Sequence, residues 1–278
     1  LLALINSGLN IFRLNINHGT PASHQETIKK IRKVSLLSNR EGTLPIMLDL
    51  KGPTIRTGRN EGSEPLLLER NQKIKITTDY SHRGNHNMIS CSYSKLLETV
   101  KQGDKIYVGD GNLTLVVESI NKESSYLTAV VANDYLLSDR KNVNLPGNRI
   151  DLPTITEEDE HIIKDFVVPN KIDMVAISFC RSAKDIRKCR ELLGEQAKVT
   201  QIVAKIENEE GISQLKEIIE ESDGVMIARG DLGMEIPVEK ITITQKYITQ
   251  ECRRLMKPVI NATQLLESMT MNARPTRA

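Results

Sequence analysis

The chain has no tryptophan and only three Phe and six Tyr in 278 residues. That leaves no aromatic platform for stacking single-stranded nucleic acid. It lacks an excess of either charge: 38 basic against 36 acidic residues, a formal +2. No electrostatic footprint for nucleic acid or a membrane surface results. Cys91, Cys180, Cys189 and Cys252 are scattered without a C-x-x-C pair. This argues against a disulfide framework or zinc site and for a reducing, cytoplasmic setting. No apolar run approaches 18 residues, so no segment reads as a membrane span. Neither G-x-G-x-x-G after a strand nor G-x-x-x-x-G-K-[ST] occurs, which removes the Rossmann and P-loop readings. The chain opens Leu1-Leu2-Ala3 without Met and closes at Arg277-Ala278 without a stop signal. It reads as a piece of a longer protein, with any organellar targeting peptide lying upstream.

What is present comes in two textures. In 1–53 and 153–278, apolar runs near 10–16, 44–50, 172–179, 199–206, 224–229 and 258–262 alternate with helical patterns. Ile28, Ile31, Val34 and Leu37 recur at helical spacing after Thr20-Pro21. Ser182 to Asp185 has the form of a capping box before Ile186, Cys189 and Leu193. Ile212, Leu215, Ile218 and Ile219 form one stripe; Ile241, Ile248, Cys252 and Leu255 form another, stopped by Lys257-Pro258. Strand–helix alternation implies a parallel sheet. Residues 54–152 break the rhythm: Lys73–Thr77 alternates with period two, and short strands flank Gly109-Asp110-Gly111-Asn112. This is an all-β insertion bounded by Pro53 and Pro153. The expected architecture is an α/β (β/α)8 TIM-type barrel, incomplete in this chain, carrying an inserted β domain.

Polar residues gather where the apolar runs end, the place where barrels build active sites. Lys205 and Glu207 lie two apart on one run, which puts both side chains on one face of a strand. Alone, such a pair is more often a strand-end ion pair. Twenty-four residues after Glu207, Asp231 closes the next unit beside Gly230, whose missing side chain lets a ligand approach the backbone. Two carboxylates with substrate oxygens suit Mg²⁺, and a neighbouring ammonium suits phosphate. Arg13, Asn15 and Asn17 alternate with Leu14 and Ile16, as they also would on an edge strand with one solvated face. Asp49 ends the second run, with Lys51-Gly52-Pro53 and Arg56 beyond it. Thr263 follows the last run and could equally be a helix N-cap; Glu267 reads as a helix-surface residue.

Together these segments resemble the pyruvate kinase family. The motifs are Arg13-Leu14-Asn15 with His18-Gly19-Thr20, Leu48-Asp49 with Lys51-Gly52-Pro53, Ile55-Arg56-Thr57-Gly58, and Asn144-Leu145-Pro146-Gly147. Lys205-Ile206-Glu207-Asn208, Ala228 to Gly233, and Ala262-Thr263-Gln264-Leu265-Leu266-Glu267-Ser268-Met269 complete the set. The resemblance runs through all 278 residues and omits the family's first and last barrel strands and its C-terminal regulatory domain. It implies that 54–152 is a mobile lid. It further implies phosphoryl transfer from phosphoenolpyruvate to ADP, the last step of glycolysis, in a cytoplasmic homotetramer when full-length. Matched residue by residue, Arg13 and Lys205 hold the phosphoryl group, and Lys205 also stabilises the enolate. Glu207 and Asp231 bind Mg²⁺ or Mn²⁺. The backbone around Arg229-Gly230-Asp231 and the Thr263 hydroxyl hold the substrate carboxylate, and Thr263 is also counted as catalytic with Arg13 and Lys205, near a water that would protonate the enolate. Asn15, His18, Arg56 and Lys141 contact the nucleotide. A K⁺ site would comprise Asn15, Asn17, Asp49 and Leu50. Asn17 stands where the family usually has Ser, Leu50 where it has Thr, and Thr54 brings no carboxylate, so K⁺ dependence is expected to be weak or absent.

Two other readings compete: a non-catalytic fragment or paralogue, and a Mg²⁺-dependent aldolase-type barrel acting on pyruvate. The intact strand-end residues weigh against the first, and the insertion and the Arg13–Asn17 strand against the second. A segment supplying six of eight strands would leave unpaired edges, so in isolation it is expected to fold poorly and to be inactive.

Overall fold

A computed structural model describes residues 1–276 except Asn39, Glu41 and Gln264. Gln264 of the last motif and the closing Arg277-Ala278 therefore lie outside the described residues. The chain divides into two compact units: residues 1–53, 153–230 and 242–278 form the first, and residues 54–152 with 231–241 form the second. The segment 231–241 thus groups with the inserted residues, whereas the sequence reading places it with the strand–helix repeats.

The first unit carries strands β1 (Phe12–Asn15) and β2 (Ile46–Asp49) before the insertion. The second unit holds β3 (Leu66–Leu68), β4 (Lys73–Thr77), β5 (Met88–Ser90), β6 (Lys105–Val108), β7 (Leu113–Asn121), β8 (Tyr126–Val131), β9 (Tyr135–Leu137) and β10 (Val143–Asn144). The first unit resumes with β11 (Met174–Ile177), β12 (Gln201–Ile206), β13 (Gly224–Ala228) and β14 (Val259–Ala262).

All neighbouring pairs of the first sheet are parallel, in the order β1-β2-β11-β12-β13-β14. Each strand lies beside the next one of its unit, without the order reversal of a doubly wound sheet. This is the (β/α)8-type barrel pattern, represented by six strands. Helices connect them where the apolar stripes predict. Pro21–Leu37 starts from Thr20, whose hydroxyl accepts the Ser23 amide and whose following proline has no amide to satisfy. Ala183–Leu193 starts from the Ser182/Asp185 capping box. Ile241–Arg254 buries Ile248 and Cys252 and ends before Pro258. A helix at Arg229–Glu235 is not foreseen by the stripes: Asp231 belongs to its first turn rather than to the end of the strand.

Period-two alternation decides what faces the sheet interior. Met47, Met174, Ala176, Val203 and Met226 form one buried apolar cluster, with Ile11, Ile260 and Ala262 against it. Two residues further along the same faces come Arg13, Asp49, Ser178 and Lys205, and then Glu207. The interior is thus apolar towards the strands' N-terminal ends and charged at their C-terminal ends.

The second unit is an antiparallel-dominated sheet, β10-β6-β7-β8-β4-β5, with the pair β3-β9. Its core of Ile, Leu and Val from alternating positions includes Ile74, Ile76, Leu113, Leu115, Val117, Leu127, Ala129 and Val131. The Gly109–Asn112 turn joins β6 to β7 as the sequence suggests, with positive φ at Gly109, Asp110 and Gly111. Within this unit the 231–241 segment is held by Asn144 Nδ2 donating to Glu235 Oε1 at 3.0 Å. Gly111 leaves room for Met234, whose Sδ would lie 2.8 Å from any Cβ there.

Candidate functional site

The charged strand ends form a connected row. Asp49, at the end of β2, is 1 % exposed. Its Oδ2 accepts Arg13 Nε at 2.8 Å and also pairs with Arg13 Nη2. Its Oδ1 lies 3.0 Å from Lys205 Nζ. Lys205 Nζ lies 3.0 Å from Glu207 Oε1 and donates to Ser178 Oγ at 2.8 Å. Positive and negative charges alternate along the row: Arg13, Asp49, Lys205, Glu207. The parallel register explains the convergence. Asn15 pairs with Asp49, Asp49 with Ala176, and Ala176 with Val203, so equivalent strand ends lie at one level.

Lys205 is 7 % exposed and Glu207 1 %. Burial opposes the lysine charge, but Glu207 and Asp49 beside it outweigh that cost and hold its pKa above the ordinary value. The ammonium is retained at every physiological pH. The Lys205/Glu207 pair is therefore both an ion pair and part of a larger array.

Glu207 Oε2 also accepts the Phe179 amide. Phe179 directs that amide from a left-handed backbone, φ +53°, an uncommon conformation for a bulky residue. Ser178 and Phe179 are the residues that motif reasoning missed. The signal for Ser178 was available: Met174, Ala176 and Ser178 continue one face of β11 to a polar end, as in the neighbouring strands. Nothing in the sequence marks Phe179.

At the far side of the sheet, Gly230 and Thr263 come together. A Cβ on Gly230 would lie 3.1 Å from Thr263 Cγ2. Thr263 has φ +72°, a strained state for a β-branched residue. Its carbonyl accepts Arg229 Nη2 at 2.6 Å. Thr263 is thus a strand-end residue under strain rather than a helix N-cap.

Asn15 and His18 lie in the turn after β1. Asn15 Oδ1 accepts the Asn17 amide at 3.0 Å, and His18 O lies 2.6 Å from His24 Nε2. Asn17 and His18 are exposed. Arg56 and Lys141 belong to the second unit and occupy paired segments there. Thr57 N–H donates to Lys141 O at 2.9 Å, and Lys141 N–H donates to Thr57 Oγ1 at 3.0 Å. Of the oxygens assigned to K⁺, Leu50 O accepts the Ser178 hydroxyl at 2.6 Å, and both Asp49 oxygens face cations.

Asp231 lies in the first turn of the 229–235 helix. Among the described residues, no three His, Cys, Asp or Glu side chains assemble a metal cage. Glu207 in the first unit and Asp231 in the second each carry hard anionic oxygens, the donor type that ions such as Mg²⁺ take.

Fold and site together define a (β/α)8-type barrel protein with a charged site at the C-terminal ends of its strands. A family model described as "Pyruvate kinase, barrel domain" matches residues 1–278. The chain is 46% identical over 275 residues to the cytosolic pyruvate kinase isozyme of Glycine max, covering 99% of this chain and 53% of that protein. It is 45% identical over 279 residues to the pyruvate kinase of Eimeria tenella, covering 100% and 52% respectively. The crystal structure of a pyruvate kinase from Cryptosporidium parvum superposes with a TM-score of 0.92 at 43% identity, covering 99% of this chain and 57% of that one. The chain belongs to the pyruvate kinase family and spans about half the length of the curated relatives it matches.

Proposed function

We propose that the protein bearing this chain transfers the phosphoryl group of phosphoenolpyruvate to ADP, giving pyruvate and ATP. The observation that carries the reading is the buried, charged Lys205 ammonium between Asp49 and Glu207, with Arg13 on the other oxygen of Asp49. Phosphoryl transfer needs little covalent help from protein. It needs positioned cations where charge develops. Asp49 holds two such cations in place, and the Arg13 side chain remains 45% exposed. Arg13 and Lys205 take the phosphoryl oxygens, and Lys205 then faces the enolate oxygen that appears as the phosphorus–oxygen bond breaks. Gly230 and Thr263 supply a close-approach surface for the substrate carboxylate. Asn15, His18, Arg56 and Lys141 are assigned to the nucleotide.

Glu207 and Asp231 would hold Mg²⁺ or Mn²⁺. When bound, that ion neutralises charge on substrate oxygens. Residues 54–152 are assigned as the mobile lid, and a cytoplasmic homotetramer is the proposed assembly of the full-length protein. No helix among the described residues is long and apolar enough to cross a membrane.

The test is turnover of phosphoenolpyruvate and ADP with MgCl₂ by the full-length protein that bears this chain, read as NADH consumption through lactate dehydrogenase. Mg²⁺-dependent turnover that Lys205→Met lacks is expected. Wild-type turnover no greater than that of Lys205→Met would overturn the reading.

A further inference from the structure

Asp159 is a buried carboxylate, 1 % exposed, that no motif singled out. It lies in the short helix Glu157–Ile162, and with Thr156 it forms a capping box. Its bonds extend well beyond the cap. Oδ1 accepts the Lys51 amide at 3.1 Å, and Oδ2 accepts the Gly52 amide at 3.2 Å. Oδ2 also takes the Thr156 amide at 3.1 Å and the Thr156 hydroxyl at 2.7 Å. The charge is thus solvated by three amides and one hydroxyl.

The Lys51 N–H belongs to the same peptide unit as the Leu50 carbonyl. That carbonyl accepts the Ser178 hydroxyl at 2.6 Å, and Ser178 Oγ accepts Lys205 Nζ at 2.8 Å. One hydrogen-bonded line therefore runs from the Asp159 carboxylate through the Leu50–Lys51 peptide and Ser178 to the Lys205 ammonium. Its polarity is consistent throughout. A carboxylate on the N–H side strengthens the carbonyl as an acceptor. The carbonyl then takes the one serine proton and leaves a serine lone pair for lysine. Gly52 locks the geometry: φ is +67°, and a Cβ there would lie 2.8 Å from Ser178 Cβ.

We infer that Asp159 is a positioning residue for Lys205, acting through the Leu50–Lys51 peptide and Ser178. Its importance for turnover rests on the function proposed above, but the positioning itself does not. The test therefore has a readout independent of activity: acetylation of Lys205 in the full-length protein by sulfo-NHS-acetate, followed by mass spectrometry and normalised to exposed Lys73. Asp159→Asn keeps one acceptor oxygen, which the Gly52 and Thr156 donors claim, and turns its NH₂ towards the Lys51 amide, breaking the line at its source. Ser178→Ala breaks it in the middle. Each is expected to speed Lys205 acetylation about tenfold, with the double variant no faster than either, because residues in one network are not additive. In the turnover assay the same variants should lower kcat with little change in the KM for phosphoenolpyruvate. Wild-type Lys205 acetylation in Asp159→Asn, or additive effects in the double variant, would overturn the inference. If Asp159→Asn shows no cooperative melting, Thr156→Val replaces it, removing one hydroxyl from the same carboxylate. A rise of about threefold is then expected, non-additive with Ser178→Ala, and no rise overturns the inference. A wild type that turns nothing over would remove the functional reading and leave the acetylation result to decide the positioning.

Discussion

Asp49 and Lys205 meet at 3.0 Å inside the sheet, and the same carboxylate binds Arg13 through its other oxygen. Two cations from strands 192 residues apart in sequence are thereby tied to one anion. Lys205→Met keeps much of the side-chain volume and removes the charge. It is expected to lower kcat by about 10²–10³ with little change in KM, since in the proposed reaction the ammonium matters most as enolate charge develops. It should also lower stability by about 3–5 kcal/mol, because Glu207 and Asp49 lose a buried partner. Steady-state kinetics and thermal melts check both. A loss confined to KM would leave Lys205 as a binding group only.

Glu207→Gln and Asp231→Asn each retain an oxygen but lose the negative charge a hard cation seeks. The Mg²⁺ concentration for half-maximal activity should rise at least about tenfold in each. An unchanged Mg²⁺ curve would return that residue to a structural role.

Potassium should activate weakly or not at all. Asn15 Oδ1, Leu50 O and both Asp49 oxygens are already engaged within the chain, and Asn17 is exposed. Initial rates in tetramethylammonium buffer, with and without KCl at constant ionic strength, decide the matter. A rise of about tenfold, roughly 1.4 kcal/mol, would show that an ion displaces these contacts.

All four thiols are buried and should resist iodoacetamide at pH 8 in the folded protein. Burial pushes Cys91 up from 9.0 to about 11 and Cys189 up to about 12. The unfolded chain ionises these thiols first. Their contribution to stability is complete below pH 9 and is lost as pH rises through 11 to 12. Denaturant midpoints measured from pH 8 to 11 should fall with a steepening slope. Cys91→Ala should reduce that slope.

The barrel was readable because β2, β11, β12 and β13 are mostly apolar on both faces until their C-terminal ends, where Asp49, Lys205 and Glu207 interrupt the run. Residues two apart then had to share a face. The helix at 229–235 was hidden because Gly230 and Gly233 weaken any helical stripe. The short strands β3, β9 and β10 give two or three residues each, too few for a period to show. Asp159 escaped for a different reason: Thr156-x-x-Asp159 announces a helix start, and no local pattern can announce bonds to amides more than a hundred residues earlier.

The row Arg13–Asp49–Lys205–Glu207 sums to zero formal charge. An anion arriving alone would upset that balance beside the buried Asp49, Lys205 and Glu207, and so would a divalent cation arriving alone. Arriving together, they nearly cancel. The neutral row thus predicts thermodynamic coupling between the two ligands: each should bind more tightly in the presence of the other, and by the same factor. Calorimetric titration of phosphoenolpyruvate with and without Mg²⁺, and the reverse, should return one coupling constant from both directions.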